Sequence, residues 1–209
     1  NNAVQRGANV GDCLYEDISG PDGTPDGVID AYDQTVLGSG LPKVNFGLST
    51  HLEYKGFDLN ISTYGVLNYH VSDDIYNSLN SCYGYGNKEV GMLDANRWSE
   101  DGTYLSSVPR TYAANNATLA WNDLFSSRKI QNAAYWKIAN VELGYNFPDK
   151  WFGGYVSGVR LYVSAQNLYT FTGYHGYNVD YAGGTFTPGY NFCSFPSART
   201  FMCGLHFTF

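Results

Sequence analysis

Five stretches of this 209-residue chain alternate apolar and polar residues with period two over about ten residues or more, the signature of long strands with two unlike faces. They lie at 43–54, 57–70, 135–147, 159–171 and 199–209. In the first, Val44, Phe46, Leu48, Thr50, Leu52 and Tyr54 share a face opposite Lys43, Asn45, Gly47, Ser49, His51 and Glu53. After a tight turn at Lys55–Gly56, Phe57, Leu59, Ile61, Thr63 and Leu67 oppose Asp58, Asn60, Ser62, Tyr64 and Asn68. The third sets Ala139, Val141, Leu143, Tyr145 and Phe147 against Asn140, Glu142, Gly144 and Asn146. The fourth sets Val159, Leu161, Val163 and Ala165 against Arg160, Tyr162, Ser164 and Gln166. The last sets Phe201, Cys203, Leu205, Phe207 and Phe209 against Thr200, Met202, Gly204, His206 and Thr208.

Two all-β architectures accept such strands. A soluble sandwich buries the apolar faces between two sheets. An antiparallel transmembrane β-barrel turns them toward lipid around a polar lumen. The strand lengths match a tilted bilayer crossing, and the connections alternate short and long, as periplasmic turns and extracellular loops do. Aromatics gather at the short-turn ends: Tyr54, Phe57, Tyr145, Phe147, Trp151, Phe152, Tyr155, Phe207 and Phe209. The barrel is therefore the leading reading, and a soluble extracellular sandwich that binds carbohydrate through Tyr-rich loops is the alternative. With a periplasmic C-terminus, residues 1–42 and the loops 71–134 and 172–198 fall on the extracellular side.

Within the first of these segments, "DGTPDGVIDAYD" has the spacing of a calcium loop. Oxygen ligands come from Asp22, Thr24, Asp26, the Val28 carbonyl, Asp30 and Asp33, with Gly27 at the turn and Ile29 as the apolar anchor. Asp in place of Glu at the last position and Thr at the third weaken the set. An extracellular site tolerates this, because millimolar-class affinity suffices there. The plain competing reading is a solvated Asp/Gly turn. No helical period flanks the loop, so the expected role of calcium is structural.

A net charge of −7 without a basic patch argues against nucleic acid. The opening "NNAVQRGANV" lacks the apolar centre of a signal peptide, so either a signal has been removed or the chain is an internal piece of a longer one. Cys13, Cys82, Cys193 and Cys203 show neither metal spacing nor framework density, and a Cys82–Cys193 pair stays open. No HExxH, GxSxG or paired-carboxylate pattern suggests an enzyme. Tyr83, Tyr85, Trp98, Tyr104, Tyr112 and Trp121 in one loop, and Tyr174, His175, Tyr177 and Tyr181 in the other, can stack on sugars, meet a partner, or pack the loops themselves. Glu142, Arg160, Gln166 and His206 are placed to face a lumen.

The segments "DGVIDAYD", "TVLGSGLPKVNFGL", "EYKGFDLNI", "NAAYWKIANVELGYNFP", "RLYVSAQNLYTFTGYHGYNVD" and "FPSARTFMCGLHFTF" together resemble the C-terminal part of SusC/RagA-type TonB-dependent outer-membrane transporters. The resemblance covers most of residues 11–209. It implies the last five or so strands of a barrel of about 22, import of oligosaccharides or peptides, energy from TonB through a missing N-terminal part, and a SusD-like surface lipoprotein partner. The terminal Phe207 and Phe209 resemble the signal read by the barrel-assembly machinery, with Met202 where that signal usually has a polar residue. The aspartate loop looks expanded relative to the family, which makes Asp17 and Ser19 rival first ligands. Five strands cannot close a barrel, and open edges in lipid are not viable; the chain therefore reads as a fragment.

Overall fold

A computed structural model describes residues 3–82, 86–94, 97–101, 108–111, 121–152, 156–180 and 184–209. Tyr83, Tyr85, Tyr104, Tyr112, Tyr155 and Tyr181 lie outside these described residues. Contacts divide the chain into two compact units, residues 1–37 with 74–130, and residues 38–73 with 131–209.

The second unit carries the strands β1 (Val44–Tyr54), β2 (Phe57–Leu67), β3 (His70–Asp73), β4 (Gln131–Asn132), β5 (Tyr135–Phe147), β6 (Gly158–Thr172), β7 (Tyr190–Asn191) and β8 (Thr200–Thr208). Five of them form one antiparallel sheet in the order β1-β2-β5-β6-β8; the short β4, β3 and β7 form a second. The five alternating segments of the sequence are thus the five long strands. Lys55 and Gly56 both take positive φ, 49° and 88°, as a two-residue hairpin twisted with its strands requires. That turn fixes the register that follows: Tyr54 faces Phe57, Leu52 faces Leu59 and Thr50 faces Ile61. The alternation runs on to residue 70, but β2 stops at Leu67, because Asn68 takes φ 52° and leaves the ladder.

Strict alternation fails at one place. Ser62 faces Asn140 while Thr63 faces Ile138, so Ala139 has no partner on β2. Across β6, Asn140 faces Gln166 and Ile138 faces Tyr169, leaving Asn167 and Leu168 opposite Ala139. Asn167 takes φ 52°. Such a bulge adds one residue and flips the parity beyond it. Lys137, which unbroken alternation would put among the leucines, joins Tyr64 on the polar face. Trp136 goes the other way and stacks on Phe171 at 5.3 Å, with Tyr169 at 4.6 Å from Phe171.

The apolar face therefore has an aromatic band at each end. The lower one contains Phe57, Tyr145, Phe147, Trp151 and Phe152, linked by centroid distances of 4.6–6.4 Å. Trp136 and Tyr145 are nine positions apart along the strand. At about 3.3 Å per residue and a tilt of about 40°, they span about 23 Å, close to the ~25 Å apolar band of a membrane barrel. Between the bands Leu143, Leu161, Val163 and Leu205 are exposed.

The buried apolar cluster, Val66, Tyr69, Val71, Ala133, Tyr135, Tyr174 and Val179, does not draw on that face. Val66 and Tyr135 belong to the polar side, as partners flanking Tyr64 and Lys137. A sandwich would do the reverse and bury its strand leucines. No second sheet covers the apolar face among the described residues. In the full-length protein, Val163→Arg is expected to cost about 2–4 kcal/mol, and Gln166→Arg on the opposite face close to nothing. Urea unfolding in phospholipid vesicles measures both, and equal effects would reject the assignment of faces.

Candidate functional site

Pairing alone brings the charges of the polar face together. Asp58 leaves β2 opposite Gly144, and Arg160 and Glu142 approach the same point from β6 and β5. Arg160 grips Asp58 with two nitrogens: Nε donates to Oδ1 at 3.0 Å and Nη2 donates to Oδ2. Nη2 also donates to Glu142 Oε1 at 2.6 Å, and Asn146 donates to Asp58 Oδ1 at 2.9 Å. The guanidinium lies 5.2 Å from the Tyr162 ring. Gly144 leaves room for this cluster, since a Cβ there would meet Arg160 Nη2 and Asp58 Oδ1 at 2.5 Å and push the pair aside. His51 extends the polar row on β1, contacting Asn60 at 2.6 Å and Glu53 at 2.9 Å. The sequence placed Asp58, Glu142 and Arg160 on this face; that Arg160 is the common partner of Asp58 and Glu142 became visible only through register. His206 faces Arg160 across the β6–β8 ladder.

Above the bulge, the segment between β6 and β7 returns to the same face. Asp180 pairs with Lys137 and accepts from the Tyr64 hydroxyl at 3.3 Å. That segment is fixed independently. Tyr174 donates its hydroxyl to Asp73, and Asn191 donates to Asp73 at 2.9 Å and to Tyr174 at 2.7 Å, all three buried. Asn178 donates to the Phe195 carbonyl at 3.0 Å. Tyr174 is thus an internal anchor. His175 and Tyr177 remain exposed, and His175 lines a cleft of about 300 Å³ with Gln131, Asn132, Ala134 and Gly173. Phe186, Phe192 and Phe195, which the alternation did not single out, are also exposed.

In the first unit, which also holds the short helices α1 (Asp74–Leu79) and α2 (Val90–Asp94), aromatics of the loop serve packing. Trp98 lies against Gly11. Trp121 donates to the Arg6 carbonyl at 2.9 Å and sits 5.8 Å from Tyr15. Asp12 joins distant segments, accepting from Arg110 Nε at 2.7 Å, Asn122 at 2.9 Å and the Asn9 N–H at 2.8 Å. Burial pushes its carboxyl up, but Arg110 and these N–H donors outweigh that and hold it below the usual carboxylate range. All four cysteines are free thiols, including Cys82 and Cys193.

The aspartate loop has the backbone of the proposed motif without a gathered ligand set. Gly27 takes φ 85° and Ile29 is 7% exposed. The carboxylates of Asp26, Asp30 and Asp33 accept backbone hydrogen bonds. Asp26 takes Val28 N–H at 2.9 Å and Asp30 takes Tyr32 N–H at 2.8 Å. Asp33 takes the N–H groups of Asp30 at 2.8 Å, Ile18 at 2.8 Å and Ser19 at 3.2 Å, which lower its pKa. Asp17, the rival first ligand, accepts Gly27 N–H at 2.7 Å through Oδ2, while its buried Oδ1 has no partner. Asp22 and Thr24 are exposed. Among the described residues no group of three or more His, Cys, Asp or Glu is arranged to hold a metal.

No family model matches the chain. It is similar to TonB-dependent receptor P3 of Formosa agariphila, 30% identical over 204 residues that make up 94% of this chain and 19% of that protein. TonB-dependent receptor SusC of Bacteroides thetaiotaomicron is 26% identical over 185 residues, 88% of this chain and 17% of that protein. The chain spans about a fifth of the length of the curated relatives it matches. Among solved structures, the RagAB peptide importer in its "open-open" state superposes with a TM-score of 0.69 at 24% identity, over 90% of this chain and 20% of that one. The structure of the RagAB peptide transporter gives a TM-score of 0.67 over 80% of this chain and 17% of that one.

The three-strand charge cluster predicts a measurable order of effects. Asp58→Ala leaves Arg160 with one partner and is expected to cost the full-length protein about 3 kcal/mol. Glu142→Ala, which leaves the two-nitrogen grip intact, is expected to cost under about 1 kcal/mol. Urea midpoints in vesicles would show the ranking, and the reverse order would refute it.

Proposed function

We propose that this chain is a portion of the β-barrel of a SusC/RagA-type TonB-dependent receptor, and that it serves the import of a nutrient oligomer, an oligosaccharide or a peptide, across the outer membrane. The observation that carries the reading is the pair of opposed faces. One is apolar and doubly banded, facing lipid; the other carries Asp58, Glu142, Arg160 and Lys137, lining a polar path. The role is transport rather than catalysis. Energy comes from TonB through a part of the protein outside these 209 residues. In this orientation the turns at 55–56 and 148–158 and the C-terminal Phe209 are periplasmic, and residues 1–42, 71–134 and 172–198 are extracellular. Phe207 and Phe209, both exposed, serve as the assembly signal.

A SusD-like surface lipoprotein is the proposed partner, closing the extracellular side. The outward aromatics Tyr177 and Phe195 suit such a contact; of the other loop residues assigned by sequence to ligand or partner, Tyr83, Tyr85 and His175 stay candidates, while Trp98 and Tyr174 pack internally. The test is uptake by cells lacking the gene. Fluorescently labelled peptide and glycan pools are each offered to wild-type and deleted cells. Loss of uptake of one pool, restored by the full-length gene, is expected and names the substrate class. Undiminished uptake of every pool overturns the import reading. Detergent extraction of the tagged receptor should bring down a lipid-modified protein.

Structural calcium in the 22–33 loop is a separate proposal. It rests on ligand spacing and on the partnerless Asp17 Oδ1, not on gathered ligands. Elemental analysis of the purified receptor should find one calcium ion that Asp26→Ala with Asp30→Ala removes; unchanged calcium content dismisses the assignment.

A further inference from the structure

The buried ion pair between Lys137 and Asp180 has unequal halves. Lys137 belongs to a strand of the barrel wall, and its side chain is 4% exposed. Asp180 belongs to a loop, and its side chain is 19% exposed. We propose that Lys137 and Tyr64 form a subsite for the carboxylate of an imported ligand, and that Asp180 occupies it in cis until a ligand displaces it. The proposal deepens the import reading and rests on it.

Three observations support the exchange. First, the recognition groups sit on the rigid sheet. The Ala139 bulge turns Lys137 onto the polar face, where its ammonium lies 6.0 Å from the Tyr64 ring. Tyr135 braces Tyr64 edge-on at 6.1 Å. A cation, a hydroxyl donor and an aromatic wall fit a carboxylate of either source, a uronic acid or an acidic peptide.

Second, the two oxygens of Asp180 are unequally served, although Tyr135 also interacts with this carboxylate. Lys137 and the Tyr64 hydroxyl both serve Oδ2, while Oδ1 is buried with no hydrogen-bond partner. The structural carboxylate Asp58 differs, with donors on both oxygens. An ion pair with an orphaned oxygen recovers less of its desolvation cost. A ligand carboxylate that finds donors for both oxygens outcompetes it.

Third, the loop does not depend on this contact for its shape. Tyr174, Asp73 and Asn191 fix one part of it, and Asn178 fixes another through the Phe195 carbonyl and Ser197. Withdrawal of Asp180 therefore opens the subsite without unfolding the loop.

The experiment measures equilibrium binding by calorimetry to the full-length receptor in detergent. The probes are trigalacturonate with its neutral counterpart trigalactose, and triglutamate with its neutral counterpart triglutamine. Asp180→Asn is expected to tighten one acidic probe about tenfold and leave its neutral counterpart unchanged. The probe that gains identifies the source of the carboxylate. Lys137→Met added to Asp180→Asn should abolish the gain; Lys137→Arg, which keeps the charge if the Met variant fails to fold, should retain most of it. Absence of any gain for both acidic probes overturns the subsite. So does equal tightening of the neutral probes, which would make Asp180 a steric plug only, or a gain that persists without the Lys137 charge. The import reading stands or falls separately on the uptake experiment.

Discussion

The constraint on which the structure depends is that a strand in lipid must pair every backbone N–H and C=O with another strand. Water is absent from the bilayer core, so no unpaired edge is tolerated there. The five long strands satisfy each other in an uninterrupted meander, β1-β2-β5-β6-β8. Among the described residues the outer edges of β1 and β8 have no partner strand, and the chain spans about a fifth of the length of its relatives. The exposed leucines and valines follow from the same constraint. In water such a face would be an aggregation surface, whereas against lipid tails it is the solvated side.

Pairing decides chemistry as well as stability. A single extra residue at Ala139 sets the parity of the upper part of β5. Below the bulge the polar face presents Asn140, Glu142 and Asn146; above it, Lys137. Without the bulge an ammonium would point into hydrocarbon and Trp136 into the lumen. With it, Trp136 and Phe171 complete the second aromatic band and Lys137 meets Asp180. One local irregularity in the ladder thereby serves membrane seating and polar-face chemistry together, as bulges beside functional sites commonly do.

The loops obey another rule. Their aromatics divide between packing and exposure. Tyr174 is buried on Asp73 and Asn191, while Tyr177, three residues further on, is 67% exposed. Trp98 and Trp121 pack against Gly11 and the Arg6 carbonyl. Composition alone could not separate these roles, because an aromatic ring suits a loop core and a partner surface equally well.

The sequence by itself determined the fold class and the positions of the five strands, because period two is a local property written residue by residue. It also determined the lower aromatic band, which sits within a few residues of short turns, and the Gly27 turn and buried Ile29 of the aspartate loop. It did not reveal that the loop carboxylates cap backbone N–H groups, since ligand spacing and Asx-turn spacing use the same residues. Nor did it show the end of β2 at Asn68 or the parity change at Ala139, since neither a positive φ at Asn nor an extra Ala interrupts an apolar pattern visibly. The partners of Arg160 and Lys137 were decided only in three dimensions. Asp58 lies 102 residues from Arg160 and Asp180 lies 43 from Lys137, and only strand register and loop return bring such distant charges within reach of each other.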